Sequence, residues 1–411
     1  MKKYTLITLI CFLIVESTIS QTHSYWLLRG VPEGTKQMFH IGADAGWGSN
    51  VLDNEWLSKM TIGGHIGNNQ KNTFYQNMED YNRVGANLNA GISVYSFVDS
   101  VFGSKQWGLT GGVSRVSTAN LYFGKDFFDL TYFGNARSAG DTMNFGKMYG
   151  QLQSFQKVGI GIFNKETLSS IRFSYVSGLN YMNLNVDRAR WFTSPVSGTT
   201  TLDYVADFEQ ADTTKSGPFT SRGQGFCLDA DLNIPMKREQ GFFAVSVRNV
   251  GWTYWQNSIY YEADSTFVWD GIEINDVLGI EADSIALPSW QDTLGVKGQK
   301  QSRWRPLPGS IHFRMLKKIN SKSSYEAGIL LQPNYAALPL VSLAYNHFVS
   351  KGLMLTERVS YGGYSRLALG VELQYLLSDR VFISAGTQHL WGVMSLNARG
   401  SNAFFGMSLV L

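Results

Sequence analysis

An all-β fold, a transmembrane antiparallel β-barrel of roughly 14 to 16 strands with a long insert loop, is what this 411-residue sequence predicts. Three observations carry that expectation. From Arg83 to Val94, apolar Val84, Ala86, Leu88, Ala90, Ile92 and Val94 alternate with Gly85, Asn87, Asn89, Gly91 and Ser93, the period of an extended strand with two unlike faces. The chain also ends inside such a strand: Ala403, Phe405, Met407, Leu409 and Leu411 share one face, and Phe404, Gly406, Ser408 and Val410 the other. A terminal strand with an apolar outer face suits a closed barrel, because closure leaves no unpaired edge in lipid. Finally, the 42 glycines, 14% aromatic and 16% charged residues come without a later apolar run of about 18 residues, which excludes a helical membrane protein.

Met1, Lys2 and Lys3 precede an apolar run from Tyr4 to Val15, and Thr18 and Ser20 stand three before and one before Gln21. This reads as a secretory signal peptide over residues 1–20, leaving 21–411 as a single barrel domain. Cys11 lacks the flanking small residues of a lipoprotein signal, and cleavage would leave Cys227 alone, so no intramolecular disulfide is expected. The formal charge of +3 has no basic block behind it, which excludes nucleic acid as a partner class.

Period-two segments recur along the chain. The clear ones are Ile171 to Tyr175, Phe226 to Ile234, Ile311 to Met315, Tyr325 to Leu331, Val341 to Tyr345, Leu367 to Leu377 and Val381 to Ala385. Weaker ones are Phe39 to Trp47, Lys59 to His65, Trp107 to Val116, Phe155 to Phe163, Thr199 to Phe208, Phe242 to Asn249 and Leu353 to Tyr361. Leu121 to Asn135 is expected to include a short helix. Asp270 to Pro308 reads as a long irregular insert, of a length that suits an extracellular loop. Glu357 shares the apolar face of its strand, which predicts a place near a membrane rim.

Polar residues opposite the apolar stripes are the candidate lumen-facing positions: Arg172, Asp229, Asp231, Arg248, Arg314, Glu326 and Glu372. Asp229 and Asp231 point the same way and, with Asn233, offer oxygen ligands of the kind a hard cation takes; the plainer alternative is a polar lumen wall. Paired charges inside a barrel can either close it or steer a solute. His23, His40, His65, His312, His347 and His389 lack the spacing of a metal site or triad, so no metal, cofactor or catalytic residue is assigned. Trp252, Trp255 and Trp269 with Tyr254, Tyr260 and Tyr261 are expected in an interfacial girdle, or else around a ligand channel.

Several segments resemble a Bacteroidota outer-membrane barrel family of unknown function, itself distantly similar to the long-chain fatty-acid transporters and to barrel components of the type IX secretion system. They are Lys125-Asp126-Phe127-Phe128 with Phe133-Gly134-Asn135 and Ala139-Gly140, Val247-Arg248-Asn249-Val250-Gly251-Trp252 with Trp255, and Tyr361-Gly362-Gly363-Tyr364-Ser365-Arg366-Leu367-Ala368-Leu369-Gly370. Gly386 to Leu390 with Gly392 and Ala398-Arg399-Gly400 extend the resemblance. Tyr25 to Gly34 lacks the Asn-Pro opening of that family, so no N-terminal hatch is carried over. The resemblance implies a non-enzymatic barrel in the cell outer membrane, in contact with its lipid, that passes or binds a small, even apolar, solute. The alternative is a scaffold with envelope or secretion proteins as partners; a lipid hydrolase and a soluble secreted lectin-like protein rank below both.

Overall fold

The computed structural model describes residues 30–212, 214, 217–236, 240–270 and 298–411. Its strands are β1 (Gln37–Ser49), β2 (Tyr81–Ser96), β3 (Trp107–Gly124), β4 (Thr142–Asn144), β5 (Met148–Asn164), β6 (Ser170–Thr193), β7 (Thr200–Gln210), β8 (Gly223–Met236) and β9 (Gly241–Trp269). They continue as β10 (Gln299–Pro306), β11 (Ser310–Lys318), β12 (Ser323–Leu331), β13 (Leu338–Phe348), β14 (Leu353–Gly363), β15 (Arg366–Ser378), β16 (Val381–Thr387) and β17 (Gly400–Val410). Helices are α1 (Asn54–Ile62), α2 (Asn68–Asn77), α3 (Lys125–Phe133) and α4 (Leu390–Met394).

Fourteen of these strands form a closed antiparallel barrel, and β4, β7 and β10 are additions to it. Closure joins β17 to β1, from Met38 opposite Val410 to Gly48 opposite Gly400, and the amide of Lys36 donates to the carbonyl of Leu411 at 2.7 Å. The terminal strand therefore leaves no free edge, as the alternation near Leu411 requires.

Alternation also sorts the chemistry. On β2, Ile92 is 52% exposed while the next residue, Ser93, is 1% exposed. Outward positions such as Val113, Ile160, Phe173, Leu343 and Leu367 carry the same apolar exposure around the wall, as a surface facing hydrocarbon does. Many inward positions are serines, threonines, amides and charges, with apolar side chains gathered towards the ends.

Connections differ at the two ends. At the end holding the C terminus, β11–β12, β13–β14 and β15–β16 are joined by short turns. The opposite end carries α1 and α2 between β1 and β2, α3 and β4 between β3 and β5, and α4 between β16 and β17. There Trp56 (0% exposed), Phe74, Phe123, Phe128, Met143 and Tyr204 form an apolar cap. Trp56 meets Phe74 edge-on at 4.6 Å and Tyr132 at 4.8 Å between ring centroids, favourable aromatic geometries.

Two long strands rise above the ring. The 24-residue β6 and 29-residue β9 flank a slot filled by two strands in succession: β8 pairs with the lower part of each, β7 with the upper. β10 and β11 likewise share the other edge of β9.

Three sequence expectations change here. Lys59 to His65 is not a strand: the Oδ1 of Asp53 accepts from the Trp56 amide at 2.8 Å and caps α1, and burial of Trp56 fixes that helix. Thr199 to Phe208 is a strand, but it lies above the ring. The Asp270 to Pro308 insert is not irregular throughout, since its last part is β10; residues 271–297 lie outside the described residues, as does the proposed signal peptide. Glu357 stands between Leu355 and Val359, opposite Tyr345 and Val371; nothing in the structure explains the choice of a carboxylate there.

Candidate functional site

Inside the ring, charged side chains form two groups. The first depends on an irregularity in β9. Its pairing with β8 shifts between Leu228 and Ala230, and Asn249 has φ +54°. Asparagine tolerates that left-handed backbone, and the resulting bulge turns two successive residues, Arg248 and Asn249, to the lumen side. Beyond it the inward phase changes from even to odd numbers. Gly251 is inward, where a Cβ would stand 2.0 Å from the Phe226 carbonyl oxygen, so a side chain there would push the strands apart.

The bulge organises the aspartates. Lys157 Nζ donates to Asp229 at 2.8 and 2.7 Å and to Asn249 Oδ1 at 2.6 Å, while the Asn249 amide donates to Asp229 Oδ1 at 2.9 Å. Arg248 donates to Asp231 Oδ1 at 2.7 Å, with Ser246 donating to the same oxygen at 2.8 Å. Arg172, beside Asp229 in the register, donates to Thr110 Oγ1 at 3.2 Å. An ammonium and a guanidinium thus hold the two carboxylates that the sequence offered to a cation. Asn233 turns its amide to the Thr167 carbonyl at 3.0 Å.

The second group spans β11 to β15. Glu326 on β12 is reached from one side by Arg314 on β11 (4.0 Å) and from the other by Arg358 on β14 (3.3 Å). Ala344 and Gly328 stand between these strands, and their small size leaves room for both guanidiniums. Glu372, buried on β15, accepts from Gln374 Nε2 at 2.6 Å and lies diagonally across from Arg358. Buried carboxylates are tolerated when paired and hydrogen-bonded.

Both groups border a cavity of about 300 Å³. Lys157, Arg248, Arg314, Arg358, Asp44 and Glu326 bring charge to it, and Trp47, Leu330, Leu340, Tyr335 and Tyr364 bring apolar surface. Asp44 accepts from Asn87 at 2.7 Å and from Asn89 at 3.0 Å. Towards the long-loop end, three connections fold inward. Leu307, 1% exposed, packs on Val116, Phe155, Val176 and Cys227; Tyr335 and Tyr364 enter from the turns after β12 and β14. Burial pushes the Tyr364 hydroxyl well above its usual range, and among the described residues it has no hydrogen-bond partner.

At the C-terminal end, inward Met38, Tyr95, Phe163, Leu316, Met354 and Phe382 form one buried apolar cluster. Each is 4% exposed or less, although each faces the lumen near its mouth. Among the described residues, this end is filled by side chains.

Lys157, Asn249, Arg358 and Tyr364 were not among the sequence candidates. Arg358 shares the inner face of Met354, Thr356 and Ser360, the same relation that singles out Arg314. Lys157 interrupts an inner face with Phe155 and Phe163 in a strand apolar on both sides, which is itself a signal of a buried partner. Trp255 is not in a girdle: it is fully buried and stacks on Tyr181 at 5.2 Å, because the bulge at Asn249 reverses its facing relative to the start of β9. Trp252 remains outward.

The fold and lumen together define a large closed β-barrel with an apolar exterior and an ion-paired interior. Residues 37–379 match the family of unknown function DUF5723, and the chain belongs to that family. No curated protein matches it. Among solved structures it is similar to the P. putida toluene transporter TodX, at 10% identity and a TM-score of 0.41 over 93% of this chain and 92% of that one. It is also similar to the Ralstonia pickettii toluene transporter TbuX, at 9% identity and 0.40 over 93% of each. A Pseudomonas aeruginosa FadL homologue gives 9% and 0.40 over 91% of this chain and 90% of that one.

Proposed function

We propose that this chain is an outer-membrane barrel, exported by residues 1–20, that takes a small solute into its lumen from the long-loop end. The internal cavity carries this reading: a chamber of about 300 Å³ lined both by charged side chains and by Tyr335, Tyr364, Leu330 and Leu340 suits a compact solute with a polar and an apolar part. The apolar exterior and the contrast between short turns and long connections support the membrane and its orientation. Of the sequence candidates, Arg248, Arg314 and Glu326 border the cavity and are assigned recognition, while Arg172, Asp229, Asp231 and Glu372 are assigned the fixing of its wall.

Liposome swelling tests this. Folded barrel should admit small solutes such as arabinose once the inward connections are loosened by Tyr364→Ala; silence of both forms, together with no solute binding, would remove the reading.

The apolar cluster around Phe163 and Phe382 favours one second reading, a sealed scaffold whose partners are envelope or secretion proteins. It predicts a stable complex recovered by crosslinking and no solute entry in any variant.

A further inference from the structure

We propose that a second cleft, nearer the long-loop end than the lumen cavity, is a subsite for a neutral sugar, with Tyr122, Tyr149 and Tyr335 as its rings and Gln151 as its hydrogen-bonding group. This rests on the solute-binding reading above and adds the ligand's chemistry.

The cleft has a volume of about 360 Å³, within the range of small-molecule sites. On β3 the lumen cavity reaches Val116 and Thr118, whereas the cleft reaches Tyr122, further towards α3; Tyr335 borders both. Asn334 Nδ2 donates to the Leu307 carbonyl at 2.9 Å, and the Leu307 amide donates to the Gly251 carbonyl at 2.9 Å. The connections after β10 and β12 therefore hold each other, with Pro306 and Pro333 as stiff parts of the rim. Tyr122 and Tyr149 stand opposite each other in the pairing of β3 with β5. Tyr81 stacks on Tyr122 at 5.4 Å with the ring planes 4° apart, which steadies that ring.

Beside these rings, amide groups are left unmet. Oε1 of Gln151 is shut off from water and has no hydrogen-bond partner among the described residues. Gln153, next on the same face of β5 and fully buried, has neither amide atom bonded, and the same holds for Asn120, 4% exposed and opposite Gln151 in the pairing. Of the three, Gln151 borders the cleft and makes the direct contact. An unmet buried amide is destabilising until a group that both donates and accepts reaches it. Among the described residues no charged side chain borders the cleft, so a carboxylate or an amine finds no counter-ion there. A hydrocarbon would leave the amide unmet. A sugar ring satisfies both features, laying its C–H face on a tyrosine while its hydroxyls donate and accept at once.

Saturation-transfer NMR with the full-length folded barrel in detergent tests this, with methyl glucoside, methyl galactoside and arabinose as probes and glucuronate and toluene as controls. At least one neutral sugar should bind, and more tightly than glucuronate. Gln151→Leu, similar in size, should lose about tenfold in sugar affinity. Tyr149→Ala should lose about as much, while Tyr149→Phe keeps most of it. Sugar affinity unchanged in Gln151→Leu would mean that the amide serves no ligand, and overturns the proposal even if Tyr149→Ala does not fold. Glucuronate bound as tightly as the neutral sugars overturns it as well. Toluene bound more tightly than any sugar, and indifferently to Gln151→Leu, overturns it while leaving a solute-binding lumen. If no sugar binds, the proposal falls, and the solute reading falls with it only if arabinose entry into liposomes is also absent.

Discussion

The ring of Tyr364 occupies the place that a side chain on Gly85 would take: a Cβ there would stand 2.1 Å from Cζ of the tyrosine. Gly362 and Gly363, at φ +115° and +62°, form the turn that delivers this ring from β14 to the inner wall of β2, and the Arg83 guanidinium donates to the Gly363 carbonyl at 3.1 Å. Among the described residues the Tyr364 hydroxyl makes no hydrogen bond, so packing holds the ring itself.

Gly85→Ala should therefore evict Tyr364. Overpacking costs about 1–3 kcal/mol, and Tyr364→Ala placed in the same chain should recover much of it. Thermal melting of the folded band on semi-native gels measures both, and protease cleavage near Arg366 should quicken in the single variant.

Lys157→Met leaves Asp229 buried beside the Asn249 amide without its ammonium. Breaking one partner of a buried pair costs about 3–5 kcal/mol, more than removing both. Lys157→Met with Asp229→Leu should melt above Lys157→Met alone; a double variant less stable than the single would contradict the pairing.

Trp56→Ala opens the apolar cap between α1, α2 and α3, at about 3–5 kcal/mol. The loss should stay local: hydrogen exchange should rise in these helices and remain unchanged in β11 to β15.

His389 lies in the connection that leads into α4, and burial lowers its pKa below the ordinary 6.5. Between its folded pKa and 6.5 the unfolded chain binds more protons, so stability is full above pH 6.5 and is lost as pH falls below it. Exchange in the 388–399 connection should accelerate at pH 5 relative to pH 7.5, and His389→Gln should flatten that difference.

Much of the ring was legible before any coordinates, because alternation at Arg83 to Val94 or Leu367 to Leu377 is the local imprint of a wall with hydrocarbon on one side. What escaped depends on residues far apart in sequence. Trp255 looks outward by its even spacing from the outward Phe243, but the extra residue at Asn249 changes the phase of β9, and nothing local announces a bulge. Lys59 to His65 mimics a strand because a short helix capped by Asp53 and anchored by Trp56 needs little amphipathic patterning. The pairing of Lys157 with Asp229 joins β5 to β8 across β6, a relation of closure and not of sequence.

β7 and β8 occupy one slot in the wall, and so do β10 and β11. The handovers from β7 to β8 and from β10 to β11 are thus seams at which chain can be added or removed while the strands above and below keep their partners on β6 and β9. The ring can stay constant at fourteen strands while the rim on this side is raised or lowered, so the height of the tall sector around β6 and β9 is set independently of the wall beneath it.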